Sequence, residues 1–112
     1  MEGGEEMRTM TGQVLSEVSG VVAAGREAGL VAAYRELVTR PLPDGLVRTE
    51  LLGGPDGHWR IQTLWRDRAA LEAVRSAPGG APAPRLLRDA GAEPALAVFE
   101  VKVHLTAQVG PA

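Results

Sequence analysis

The chain has 112 residues, 45% hydrophobic and 23% charged, with a formal net charge of −2. This fits one globular domain and excludes a wholly disordered chain; the slight negative balance argues against a nucleic-acid partner, since neutralising phosphates takes a basic face. Zero cysteines exclude disulfides, a thiol nucleophile and cysteine-bound metal, and no apolar run reaches about 18 residues, so no membrane span is expected.

Residues 1–11 hold three glutamates, three methionines and two glycines without periodicity, which predicts a disordered arm. The domain is expected over 12–106, followed by a flexible tail at 107–112. No secretory leader is readable, so a cytoplasmic location is the default expectation. The stretch 13–22 is β-branched and partly alternating and predicts a first strand, in which Gly20 marks a bulge or a close backbone approach. A helix follows over 26–39, because Leu30, Tyr34, Leu37 and Val38 recur at i, i+4, i+7 and i+8 and form one apolar stripe. Two prolines and an Asp-Gly pair at 41–45 stop it.

A second strand is expected over 46–52 and a third over 58–66. The loop at 53–57 joins them through Pro55, which presets φ, and through glycines that tolerate positive φ. Alternation puts Trp59, Ile61, Thr63 and Trp65 on one face of the third strand and His58, Arg60, Gln62 and Leu64 on the other. Asp67 is placed to cap a second helix over 68–76, with Ala70, Leu71 and Val74 as its inner stripe. Three prolines and two glycines crowd 77–84, which predicts irregular chain, then a short helical turn over 85–90. A fourth strand is expected over 95–105, with Ala97, Phe99, Val101, Val103 and Leu105 facing one way and Glu100, Lys102 and His104 the other.

The order β-α-β-β-α-β predicts an α+β class: a ferredoxin-like split βαβ with a four-stranded antiparallel sheet and both helices on one face. A sheet covered on one side leaves its other side open, yet the first and fourth strands are apolar on much of both faces. A chain of this size buries only roughly 65% of its unfolded surface. A homodimer packed through the open sheet face answers both problems and is expected here.

Two stretches carry a family resemblance. Pro43-Asp44-Gly45-Leu46-Val47-Arg48-Thr49-Glu50-Leu51-Leu52, followed by Trp59-Arg60-Ile61-Gln62-Thr63-Leu64-Trp65-Arg66-Asp67-Arg68-Ala69-Ala70-Leu71-Glu72-Ala73, resembles the antibiotic biosynthesis monooxygenase domain, as does Gly25-Arg26-Glu27 opening the first helix. The resemblance spans roughly 13–105. It implies a dimeric α/β barrel, ligands held between helices and sheet, and activities that include cofactor-independent oxidation of aromatic polyketides, quinol oxidation and haem degradation. Carried over by position, the tryptophan near the substrate matches Trp65. The accompanying asparagine has no counterpart, because the chain contains none. The helix-2 histidine that binds iron in haem-degrading members is replaced by Val74, which counts against haem.

The expected function is therefore a cofactor-independent monooxygenase or oxidase of phenolic or polycyclic aromatic substrates. The alternative is a non-catalytic dimeric module of the same fold that binds a small molecule or serves assembly. Tyr34 and Trp65 are the candidate catalytic residues, Tyr34 as donor to a substrate oxygen and Trp65 as pocket wall; residues of these types more often serve packing, Trp65 under the helices and Tyr34 with its hydroxyl satisfied in the core. Leu30, Trp59, Arg60, Ile61, Thr63 and Val74 are the candidate substrate-binding residues, with Arg60, Arg85 and Arg88 as possible partners for an anionic or phenolate ligand. His58 and His104 lie on different strands without metal-ligand spacing, so no metal is expected. With neither G-x-G-x-x-G nor a Walker-type G-K-[ST], and no nucleophile elbow, no nucleotide or flavin cofactor is expected.

Overall fold

β-branched valines and alternating apolar residues draw the first ordered segment into strand β1 (Val14–Val21), the hub of the sheet. A 3₁₀ turn (Ala24–Arg26) leads into α1 (Glu27–Val38), followed by β2 (Leu46–Gly53), β3 (His58–Trp65), α2 (Arg68–Ser76), α3 (Pro82–Asp89) and β4 (Ala95–Glu100). The computed structural model describes residues 12–107; the arm expected at 1–11 and the tail beyond 107 lie outside the described residues. The sheet order is β2-β3-β1-β4, with every neighbouring pair antiparallel. This is the four-stranded ferredoxin-like sheet expected of the sequence, with three helices rather than two.

The register fixes two faces. Val14, Ser16 and Val18 of β1 lie opposite Trp65, Thr63 and Ile61 of β3, and this face carries the helices. Leu15, Glu17 and Ser19 lie opposite Leu64, Gln62 and Arg60 on the open face. The core forms two buried clusters. Val18, Val22, Leu30, Ile61 and Leu87 build one, and Val14, Trp65, Ala70 and Leu71 the other. Leu87 is fully buried, and burying a leucine contributes about 2 kcal/mol.

Local chemistry explains the elements. Asp67 accepts a bond of 2.9 Å from the Ala70 N–H and so caps α2 as expected. Gly20 is a close approach: a Cβ there would stand 3.0 Å from the Ala92 Cβ. In the β2–β3 loop, Asp56 and Gly57 both take positive φ, and a Cβ on Gly57 would stand 2.7 Å from the Val22 oxygen.

Two expectations need correction. The segment 77–84 is not irregular throughout, because α3 begins at Pro82. Proline lacks only an N–H that the first helical turn cannot use, so Pro82 and Pro84 start this helix rather than break it. The fourth strand ends at Glu100, not at 105. Among the described residues β4 pairs only with β1, and after Val14↔Glu100 and the Val101 N–H to Gln13 oxygen bond β1 offers it nothing further. Val103 and Leu105 therefore stand 88% and 91% exposed.

Gly45 joins the turn after α1 to α2. Its φ is +88°, its oxygen accepts from the Arg66 N–H at 2.7 Å, and a Cβ there would sit 2.4 Å from the Ala70 Cβ. Gly45→Ala combines left-handed strain with that collision. It is expected to lower stability by about 2 kcal/mol and the melting temperature by roughly 10 °C, read from a thermal melt by circular dichroism.

Candidate active site

A cavity of about 260 Å³ lies between the sheet and the helices, bordered by members of both core clusters, Val18 and Ile61 from one and Trp65 and Leu71 from the other. Its volume is just under the usual range for small-molecule sites. Four prolines frame it: Pro41 and Pro43 after α1, and Pro82 and Pro84 in the first turn of α3.

The floor is a polar row in an otherwise apolar chamber. Thr49 of β2, Thr63 of β3 and Ser16 of β1 are successive cross-strand partners, so their side chains stand side by side on the helix-covered face. Tyr34, on the expected stripe of α1, donates its hydroxyl to Thr49 Oγ1 at 2.9 Å. Thr49 Oγ1 and Thr63 Oγ1 are hydrogen-bonded at 3.0 Å. Trp65 is 5% exposed, and its indole N–H donates to Ser16 Oγ at 2.9 Å. Each of the five groups thus has at least one partner within the row.

Charge is kept to the outside. Among the described residues lining the cavity none is histidine, aspartate or glutamate, and the only cations are Arg40 and Arg75, paired on the surface with Glu36 and Glu72. Groups with shifted protonation lie elsewhere. Hydrogen bonding and charge from Asp44, then Asp67, raise the Arg66 pKa. A hydrogen bond between Glu100 and Lys102 lowers the carboxylate pKa and raises the ammonium pKa.

Of the residues singled out from the sequence, Tyr34, Ile61, Thr63, Trp65 and Val74 come together around this cavity. The other three do not. Leu30 is 2% exposed inside the first core cluster. Trp59 donates its indole N–H to Glu27 at 2.9 Å and borders a separate shallow cleft with His58 and Arg60. Arg60 points to the open face, where it pairs with Glu17. Arg85 is occupied with the Gly79 oxygen, and Arg88 is exposed on α3. Ser16, Thr49, Arg40 and Arg75 went unnoticed. Thr49 was within reach, since pairing back from the 53–57 loop sets it against Thr63; Ser16 depends on a β1–β3 pairing that no local signal announces.

Sheet order, helices on one side and a chamber between the two layers define a ferredoxin-like α+β domain. No protein-family model and no curated protein matches the chain by sequence. Solved structures do match. A point variant of SnoaB, a cofactor-independent oxygenase from Streptomyces nogalater, aligns with a TM-score of 0.66 and 20% identity, over 86% of this chain and 99% of that one. A candidate antibiotic biosynthesis monooxygenase from Deinococcus radiodurans aligns with a TM-score of 0.66 and 19% identity over 86% and 99%. Another, from Caulobacter crescentus, gives 0.65 and 13% over 88% and 96%. The chain thus has the fold of the antibiotic biosynthesis monooxygenase structures, as its motifs implied.

Tyr34→Phe removes one donor and leaves Thr49 its bond to Thr63. A loss of about 1 kcal/mol is expected, a melting temperature lower by roughly 5 °C, with an unchanged far-ultraviolet spectrum.

Proposed function

We propose that the chain is a cofactor-independent monooxygenase or oxidase of phenolic or polycyclic aromatic compounds. The observation that carries this reading is the chamber itself: apolar walls, Trp65 on the floor, and hydroxyl groups as its inner polar equipment. Aromatic oxidation by dioxygen asks little more of a protein. A deprotonated anthrone gives one electron to dioxygen, and the radical pair combines to form a carbon–oxygen bond. The hydroperoxide then loses water to leave the quinone. The ring methylene gives up two hydrogens, one oxygen atom becomes the new carbonyl, and the other departs in water. Dioxygen is both oxidant and oxygen source.

In this scheme Trp65 lies against the ring system and the hydroxyl row donates to the developing oxyanion. Tyr34 acts through Thr49, because its own hydrogen is already given there. No carboxylate or imidazole lines the chamber among the described residues, so bulk water or buffer takes the first proton. The same facts favour the second reading, a small-molecule-binding module without turnover.

Incubation under air with anthrone and a panel of naphthoquinols, followed by quinone absorbance and oxygen uptake, separates the two. The oxidase reading expects a rate above buffer that falls at least about tenfold in Trp65→Ala, as loss of about 1.4 kcal/mol of transition-state binding gives. No rate above buffer for the whole panel, with binding retained, leaves the non-catalytic module.

The proposal includes a homodimer through the open sheet face. Leu15, Ala97 and Phe99 share that face around the already buried Leu64, and Phe99 is 50% exposed. An apolar cluster of this kind is what a sheet-to-sheet interface buries. Sedimentation is expected to show a particle of twice 11.8 kDa, and Phe99→Glu to return it to single chains. Single chains from the unaltered protein at micromolar concentration overturn the dimer.

A further inference from the structure

The hydroxyl row permits a count. Tyr34, Thr49 and Thr63 hold three O–H hydrogens and make two hydrogen bonds among themselves. One hydrogen is left over whichever way the Thr49–Thr63 bond runs: on Thr63 if Thr49 donates, on Thr49 if Thr63 donates. Ser16 accepts from Trp65 and keeps its own hydrogen. Neither spare hydrogen has an acceptor among the described residues, and all three threonine and serine side chains line the chamber. Such a donor turns to water or to a ligand oxygen, and a ligand that displaces the water without supplying an acceptor forfeits about 1–3 kcal/mol. Ser16 and Thr63 are cross-strand partners, roughly 5 Å apart, and Thr49 stands one strand further along the row.

We infer that this row is a specificity element: it selects a ligand carrying two acceptor oxygens on one edge of a planar ring system, one for Ser16 and one for the Thr49–Thr63 pair. The inference rests on the reading of the chamber as an aromatic site and adds which edge of the ligand faces the sheet. Elsewhere on the floor and wall Val18, Ile61 and Leu71 carry no polar side-chain atom, so oxygens placed against them lose hydrogen bonds there. With both chamber arginines paired on the surface, the row recognises neutral oxygens and needs no anionic group on the ligand.

Non-reacting quinones test this without turnover. Equilibrium dialysis would compare 1,8-dihydroxyanthraquinone, whose oxygens share an edge, with the 2,6-dihydroxy isomer and with unsubstituted anthraquinone. The unaltered protein is expected to hold the 1,8 isomer at least about tenfold more tightly than the 2,6 isomer, as two neutral hydrogen bonds supply. Ser16→Ala and Thr63→Val should each shrink that ratio to within about threefold, whatever each does to the binding of unsubstituted anthraquinone. The conservative Ser16→Thr should restore it. Equal binding of the two isomers, or a preference that survives both substitutions, overturns the row as a specificity element while the aromatic chamber stands. Failure of all three quinones to bind overturns the chamber reading and the row together.

Discussion

A strand exposes its side chains alternately, and in β3 that rule decides nearly everything. β3 is paired on both sides, with β2 and β1, so its register is held twice. Ile61, Thr63 and Trp65 go under the helices; Gln62 and Leu64 go to the open face. A slip of one residue would put Leu64 in the chamber and Trp65 outside. The chamber and the proposed interface are therefore two sides of one single-residue step of roughly 3.4 Å. Gly45 and the Gly57 turn, where a Cβ has no room, anchor the ends of this arrangement.

The chamber's chemistry is that of a shaped, mostly greasy space with one polar seam. Hydroxyl groups suit such a seam because each both gives and takes a hydrogen, so neighbours on adjacent strands satisfy one another without any net charge being buried. Away from the chamber, the contacts of Arg66, Glu100 and Lys102 sit on the surface, where solvent screens them. Reactivity in this reading belongs to the ligand and to dioxygen, and the protein's share is geometry and dryness.

Most of the fold was legible because its signals are local. The stripe Leu30, Tyr34, Leu37 and Val38, the Asp67 cap and the alternation in β3 each need only a few neighbouring residues. The misreadings came where a distant partner rules. β4 keeps its alternation to Leu105, but among the described residues β1 supplies no partner past Gln13, so pairing stops at Glu100. Proline density at 77–84 suggested irregular chain, whereas position within a helix matters more than number. Within the site, the face carrying Ile61, Thr63 and Trp65 was readable, while Leu30, Trp59 and Arg60 were misplaced by treating neighbours on one stripe or strand as neighbours of one cavity.

The four proline rings around the chamber bear on the outline it keeps. A pyrrolidine has one fixed backbone torsion and no amide hydrogen. Where these residues border the space, its contour is set by ring geometry and not by main-chain donors, so that stretch of rim is stiff and apolar by construction.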